Sequence, residues 1–298
     1  MTAPPPTPPP TPPPIPPPAP PPGAPVRAGA HVAARFGSDG AFLSAAAGFA
    51  RAGVGEGAQV LLFPSPRLRE ALRGRLSGGG DAALGAAARD GRLLVLDPRQ
   101  VQLAGGAFDP ARLRAAYLDA VRDALAAGRT GVWTAVDMDW ARPGVADPGA
   151  LVAFEAAANT LFTPGTLTAL CAYDTRVFTA GQIFRACQAH PSSDDTAGFA
   201  HRALPCGGGL AFSGETDRSN ALAWNALLAS LAPGHDVVDI SAMSFLSIQA
   251  LADLGAAACA RPRPLTIRVT FRQATRLSLL RLDQVATIEV LRAGGQVR

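Results

Sequence analysis

The run Gln59-Val60-Leu61-Leu62-Phe63 is the feature that most limits what this chain can become. Four consecutive apolar residues leave a strand no polar face, so both faces must be covered. Pro64-Ser65-Pro66 follows at once and opens a helix over about 66–76. A continuous apolar strand feeding a helix is the signature of a parallel α/β sheet, because parallel strands are joined by crossovers that lay helices on the sheet.

The pattern recurs along the first two thirds of the chain. A helix over about 39–52 carries Phe42, Leu43 and Phe49, stops at Gly53, and is followed by the turn Val54-Gly55-Glu56-Gly57. Gly91 to Asp97 reads as a second strand. Phe108-Asp109-Pro110 opens a helix over 110–127, with Leu113, Tyr117, Val121 and Leu125 on one stripe and Gly128 closing it. Gly131 to Trp140 is a third strand that ends in acids and an aromatic. A helix over about 148–160, a strand from Thr168 to Asp174 and a helix over about 179–189, ending at His190-Pro191, complete the series. This alternation predicts a mostly parallel, three-layer sheet with right-handed crossovers.

The last third follows a different order. An alternating strand, Leu210 to Phe212, runs into a Ser-Gly-Glu-Thr-Asp turn. Ser219 is placed to cap a helix bearing Leu222, Trp224, Leu227, Leu228 and Leu231. A strand from Asp236 to Ile240, a loop around Ser244 to Ser247 and a helix to about Cys259 come next. Leu265 to Thr270 is a strand, Gln273 to Leu280 a helix, and Ala286 to Val290 a final extended piece. At 298 residues the length suits about two domains. The expected division is a tail over 1–27, a first domain over 28–195, a linker over 196–207 and a second domain over 208–298.

Residues 1–25 are a proline run whose missing amide protons bar it from helix and sheet, so an extended polyproline II tail is expected. With 48% hydrophobic and 17% charged residues the remainder is globular. Every one of the 27 basic residues is Arg, and the net charge of +4 is spread along the chain, without the clustered patch of a nucleic-acid binder. Cys171, Cys187, Cys206 and Cys259 form no C-x-x-C pair, so no metal site is expected and free thiols in a reducing cytoplasm are the default. Neither a membrane-length apolar run nor a signal-peptide pattern is present, and a cytoplasmic location is expected.

In open α/β sheets, ligands sit at the carboxyl ends of the strands. That rule selects Ser65, Arg67, Asp137, Asp139, Trp140, Tyr173 and Asp174 as a candidate pocket, the aromatics giving an apolar wall with a polar handle. A phosphate-binding loop needs Gly-rich backbone and a Lys; the turn after Phe63 is Pro64-Ser65-Pro66-Arg67, with two amide donors missing. No G-x-S-x-G, no Cys with a motif-borne His and no H-E-x-x-H occurs. No catalytic residue and no cofactor is therefore assigned. His190 reads as a helix-end imidazolium that suits the helix dipole. His31, His201 and His235 lie at segment edges and are given no chemistry.

Over about residues 28–195 the order of pieces resembles a MEDS domain, a sensory module of methanogen and methylotroph regulators, including dichloromethane-responsive ones. The resemblance rests on the early strand at His31, GVGEGAQVLL, FDP before a helix, DMDW at a strand end, and CAYD followed by HP. It implies a RecA/KaiC-like α/β domain without a P-loop, used for sensing or docking. Over about 207–292 the chain resembles a STAS domain, the fold of anti-sigma factor antagonists. Gly214-Glu215-Thr216-Asp217 stands for that family's GELD turn, and Asp239 to Leu251 for its DLSGLSFIDSSGL segment. This implies a mixed sheet with helices, and a docking surface at Glu215, Asp217, Ser244, Ser247 and Gln249 for an anti-sigma factor or histidine-kinase-like protein. The family's phosphorylated Ser is Gln249 here, which has no nucleophilic hydroxyl; Ser247 is the alternative phosphosite or, more simply, a helix cap.

Together these readings give a non-enzymatic signalling or transcription regulator that senses a small molecule or a protein signal through its first domain and binds a partner through its second. Two readings from other classes compete: a nucleotide-binding or nucleotide-hydrolysing enzyme of RecA-like fold, and a scaffold recruited through its Pro-rich tail.

Overall fold

The computed structural model describes residues 26–77, 81–162, 164–190, 192–193, 201–231 and 234–291. The Pro-rich run 1–25 and residues 196–200 of the expected linker lie outside them.

The first sheet has six strands, all parallel: β1 (His31–Phe36), β2 (Gln59–Phe63), β3 (Leu93–Val95), β4 (Val132–Asp137), β5 (Leu167–Asp174) and β6 (Ser192–Ser193), in the order 3-2-4-5-1-6. β4 and β5 are buried at every residue, as strands covered on both faces must be. α1 (Asp39–Gly55), α2 (Pro66–Ser77) and α3 (Ala82–Arg89) share one apolar core with one face of the sheet. α5 (Pro110–Ala126), α6 (Pro148–Phe162) and α7 (Ala180–Gln188) share another with the opposite face. The split follows from right-handed crossovers: connections that step across the sheet in opposite directions place their helices on opposite faces.

Local chemistry sets the boundaries. Ser38 caps α1 by accepting from Ala41, and Asp109 caps α5 ahead of Pro110, whose fixed φ suits the first helical turn. Gly53 lies within the last turn of α1, which runs on to Gly55; a Cβ there would stand 2.9 Å from the Trp133 ring, so the small residue permits close helix–sheet packing. The expected strand Gly91 to Asp97 is only three residues long, because Asp97 turns to cap the short helix α4 (Pro98–Val101). The third strand stops at Asp137, and Met138–Ala141 form a 3-10 turn.

The second sheet runs β11-β10-β9-β8-β7, with β7 (His201–Cys206) antiparallel to β8 (Gly209–Thr216) and the rest parallel: β9 (Val237–Leu246), β10 (Leu265–Thr270) and β11 (Ala286–Leu291). β7 occupies residues expected to be linker. β9 is twice its expected length and takes in Ser244 to Leu246, expected as a loop. In β10 burial alternates strictly, so this sheet buries one face and leaves the other polar. α8 (Ala221–Ala229), α9 (Ile248–Cys259) and α10 (Phe271–Leu279) contribute to its core around Trp224. Ser219 does not cap α8; it bonds Asp217, and Asn220 holds the cap position.

The two cores meet through α6. Val152 and Ala156 of that helix, with Ala189 after α7, belong to the second core, while Phe154, Ala158 and Leu161 belong to the first. Among the described residues, no helix is long and apolar enough to cross a membrane.

Candidate functional site

The strand order creates a crevice. The chain leaves β2 toward β3 on one side and leaves β4 toward β5 on the other, so the loops after these neighbouring strands diverge; such switch points are where open α/β sheets bind ligands. A cavity of about 290 Å³ lies there, its lining including Ser65, Pro66, Arg99, Asp139, Trp140 and Arg142.

Asp137, the last residue of β4, is fully buried beneath it. Its carboxylate accepts from the Ser65 backbone N–H at 3.3 Å and from the Asp139 N–H at 3.1 Å, which ties the β2 loop to the β4 loop. Burial raises its pKa, against the opposing pull of the Ser65 hydroxyl and the two amides. Trp140 packs on Phe108 at 5.4 Å between centroids, and its buried indole N–H has no partner among the described residues. Asp139 and Arg142 stand 3.8 Å apart. The pocket thus offers an aromatic wall, one unused donor, two guanidinium groups and one carboxylate. Its lining holds no His and no Cys.

The seven residues selected from the sequence do not form one pocket. Ser65, Asp139 and Trp140 line the cavity and Asp137 supports it. Arg67 and Asp174 instead join an ion-pair network at the carboxyl ends of β1 and β5. Arg67 bonds Asp174 at 2.6 Å and also Asp39, while Arg176 bonds Asp39 at 2.6 Å and Asp174 at 2.8 Å. Two acids and two guanidiniums cancel, so this cluster is self-satisfied and pins α1 and α2 to the sheet end. Tyr173 is a core residue, its ring set edge-on against Phe178 at 5.5 Å and its hydroxyl buried without a partner.

Beneath the sheet lies a group that sequence reasoning missed, although His31, Cys171 and His190 each stand in a segment that carries the family resemblance. His31 of β1, Glu155 of α6, Cys171 of β5 and His190 just past α7 are all buried, and one ligand-type atom from each lies within 4.8 Å of the others. His31 stacks on Phe162 at 4.3 Å and lies 4.1 Å from the His190 ring. Burial lowers the pKa of both imidazoles to about 4 and raises those of Glu155 and Cys171. His190 is therefore not the solvent-facing imidazolium expected at a helix end; it is a neutral core residue. The signal available in the sequence was weak: apolar segments each carrying a single misplaced His, Glu or Cys.

In the second sheet, β8 and β9 run side by side with Glu215 opposite Phe245 and Thr216 opposite Leu246. The expected turn from Ser213 to Asp217 is instead the end of β8, held extended by its pairing with β9, and the chain turns only after Thr216; this register brings the segment Glu215–Asp217 beside Ser244. The Ser244 hydroxyl donates to the Gly214 carbonyl at 3.0 Å. Ser247 caps α9, accepting from Ala250 N–H at 3.1 Å, and Gln249 donates to Asp253 at 2.8 Å. Asn220, not selected from the sequence, holds the segment from below by accepting from Asp217 N–H and donating to the Glu215 carbonyl, each at 2.9 Å. Phe245 and Ile248 are exposed at this edge.

No curated protein and no solved structure matches the chain. A family description, "MEDS: MEthanogen/methylotroph, DcmR Sensory domain", matches residues 30–191, more than half of the 298. That span takes in the β1–β5 strands, the crevice and the buried His-Glu-Cys group, and the chain belongs to the MEDS sensory-domain family.

Proposed function

We propose that this chain is a non-enzymatic regulator whose MEDS domain takes up a small molecule in the crevice between β2 and β4, and whose C-terminal part is a STAS-like module that docks on an anti-sigma factor or histidine-kinase-like partner. The observation that carries the sensing half is the unused indole N–H of Trp140 in a cavity bounded by Arg99, Arg142 and Asp139, at a switch point of the parallel six-stranded sheet. Such a lining suits a compact molecule with an apolar part against the ring and a hydrogen-bond acceptor toward the indole and guanidiniums. The lining holds no His and no Cys, and the buried Asp137 carboxylate is already engaged by the Ser65 and Asp139 amides, which supports binding rather than turnover. Support for the docking half is the segment Glu215–Asp217 held beside Ser244, with Phe245 and Ile248 exposed at its edge. α6, shared by both cores, is the element through which ligand and partner would communicate.

The test is native mass spectrometry of the full-length chain from its host, followed by thermal-shift titration of any recovered compound. A ligand that stabilises the wild type and fails to stabilise Trp140→Ala and Arg142→Ala supports the crevice. Equal stabilisation of those variants, or turnover of the compound, overturns the reading. For the docking half, a kinase-like or anti-sigma protein retained by the wild type and lost with Phe245→Asp supports it; retention of neither refutes it.

A further inference from the structure

We propose that His31, Glu155, Cys171 and His190 form a closed site for a divalent transition-metal ion of the zinc class, separate from the crevice. The argument is a count of protons and lone pairs. Asn159 Nδ2 donates to the Ala189 carbonyl at 2.8 Å, which fixes its amide so that Oδ1 faces His31 Nδ1 at 2.7 Å. An amide oxygen only accepts, so His31 carries its proton on Nδ1 and presents a lone pair at Nε2. His190 Nδ1 lies 2.9 Å from the Ala186 carbonyl, so its Nε2 is also a bare lone pair, and that atom has no hydrogen-bond partner. Both lone pairs converge on one carboxyl oxygen: Glu155 Oε2 is 3.2 Å from His31 Nε2 and 3.5 Å from His190 Nε2. One oxygen carries at most one proton and serves one imidazole. The Cys171 sulfur, 3.7 Å from His31 Nε2, completes the convergence.

Metal–ligand distances of about 2.0–2.3 Å place tetrahedral ligand atoms roughly 3.3–3.8 Å apart; the contacts at 3.2, 3.5 and 3.7 Å lie close to that spacing, and the whole group lies within 4.8 Å, so an ion would draw the wider pairs inward by up to about 1 Å. Nitrogen and sulfur donors select zinc-class ions over calcium or magnesium. The Nδ1–H donors to an amide and a backbone carbonyl are the outer-sphere bonds that orient ligating imidazoles. On binding, the ion takes four ligand bonds and releases the Cys171 and Glu155 protons to solvent. The dication, thiolate and carboxylate then sum to zero charge, which a dry interior tolerates. Four protein ligands, all buried, leave no open position, so the ion is structural or regulatory. It would tie β1 and β5 to α6 and to the end of α7, next to Ala156 and Ala189 of the second core.

The test is to strip the tag-free, full-length chain with a chelator, load it with Co²⁺ and dialyse. Expected are one cobalt per chain, tetrahedral ligand-field bands in the visible and a thiolate charge-transfer band in the near ultraviolet. Cys171→Ser should remove that last band, while Cys259→Ser, at an exposed thiol, should not. Asn159→Leu should weaken the affinity about 10–100-fold and keep the band at saturation. Cobalt lost on dialysis, or a charge-transfer band that survives Cys171→Ser, overturns the site. Should Cys171→Ser fail to fold, X-ray absorption of the zinc-loaded wild type decides: one sulfur among nitrogen and oxygen ligands supports the site, and a sulfur-free shell overturns it.

Discussion

Replacing Asn220 by Ala tests how the segment beside Ser244 is held. The side chain is 2% exposed and makes two bonds to backbone, one accepted from Asp217 N–H and one donated to the Glu215 carbonyl, both 2.9 Å. A net hydrogen bond is worth about 1 kcal/mol, and the two backbone groups left behind are partly reached by water, so the expected loss is about 2 kcal/mol. That energy corresponds to about a 30-fold change in the opening equilibrium. Native-state hydrogen exchange reads it directly, because the Asp217 amide loses its acceptor: its exchange should quicken about 30-fold, while β5 amides keep their protection. Asn220→Asp keeps an acceptor for Asp217 and removes the donor, so it isolates the Glu215 half of the interaction. If Asn220→Ala speeds Asp217 exchange less than about 3-fold (roughly 0.7 kcal/mol), the segment is fixed by its strand register alone and the reasoning fails.

Three further outcomes follow from the same geometry. Trp224 is fully buried, meets Phe212 edge-on at 4.7 Å and donates its indole N–H to the Ala250 carbonyl at 3.1 Å; Trp224→Ala should cost about 3–5 kcal/mol in urea unfolding of the second sheet, and a loss under about 1 kcal/mol would show that this core is not organised around it. Removal of the α9 cap by Ser247→Ala should cost about 1 kcal/mol, with Ser247→Asp restoring most of it, so equal losses for both would disprove the capping role. Burial pushes the Asp174 pKa up, but the Arg176 bonds and the Arg67 charge outweigh it and hold the group below the ordinary 3.8; a depressed folded pKa contributes stability present above the unfolded value and lost as pH falls through the folded one. Thermal stability should therefore drop on acidification from just above pH 3.8 downward, and Asp174→Asn should flatten that drop; an unchanged acid limb would sink the assignment.

The layout of the first sheet was written in local pattern. β2 is apolar from Val60 to Phe63, Asp109-Pro110 and Thr179 open helices through their own side chains, and Gly128 closes one. Each of these signals acts over a few residues, so it survives without the tertiary context. Three of the residues selected at strand carboxyl ends, Ser65, Asp139 and Trp140, line one cavity.

What the sequence could not rank were adjacent residues with different fates. Tyr173 and Asp174 are neighbours, but alternation along β5 turns one into the core and leaves the other to Arg67 and Arg176. Ser219 and Asn220 are both good cap residues, yet neither side chain caps α8: Ser219 bonds Asp217, and Asn220 is drawn to the Glu215 carbonyl. β9 runs on through Ser244 because β8 lies alongside to pair with it, a long-range fact. The clearest case is the buried group of His31, Glu155, Cys171 and His190. Their identities were fixed by the sequence, and so was the apolar character of the segments that carry them. Their convergence was decided by the order 4-5-1 in the sheet and by α6 and α7 crossing the same face, which brings into contact residues up to 159 positions apart (190 − 31). A pattern over a few residues specifies an element, whereas a site assembled from four elements exists only once the sheet has chosen its strand order.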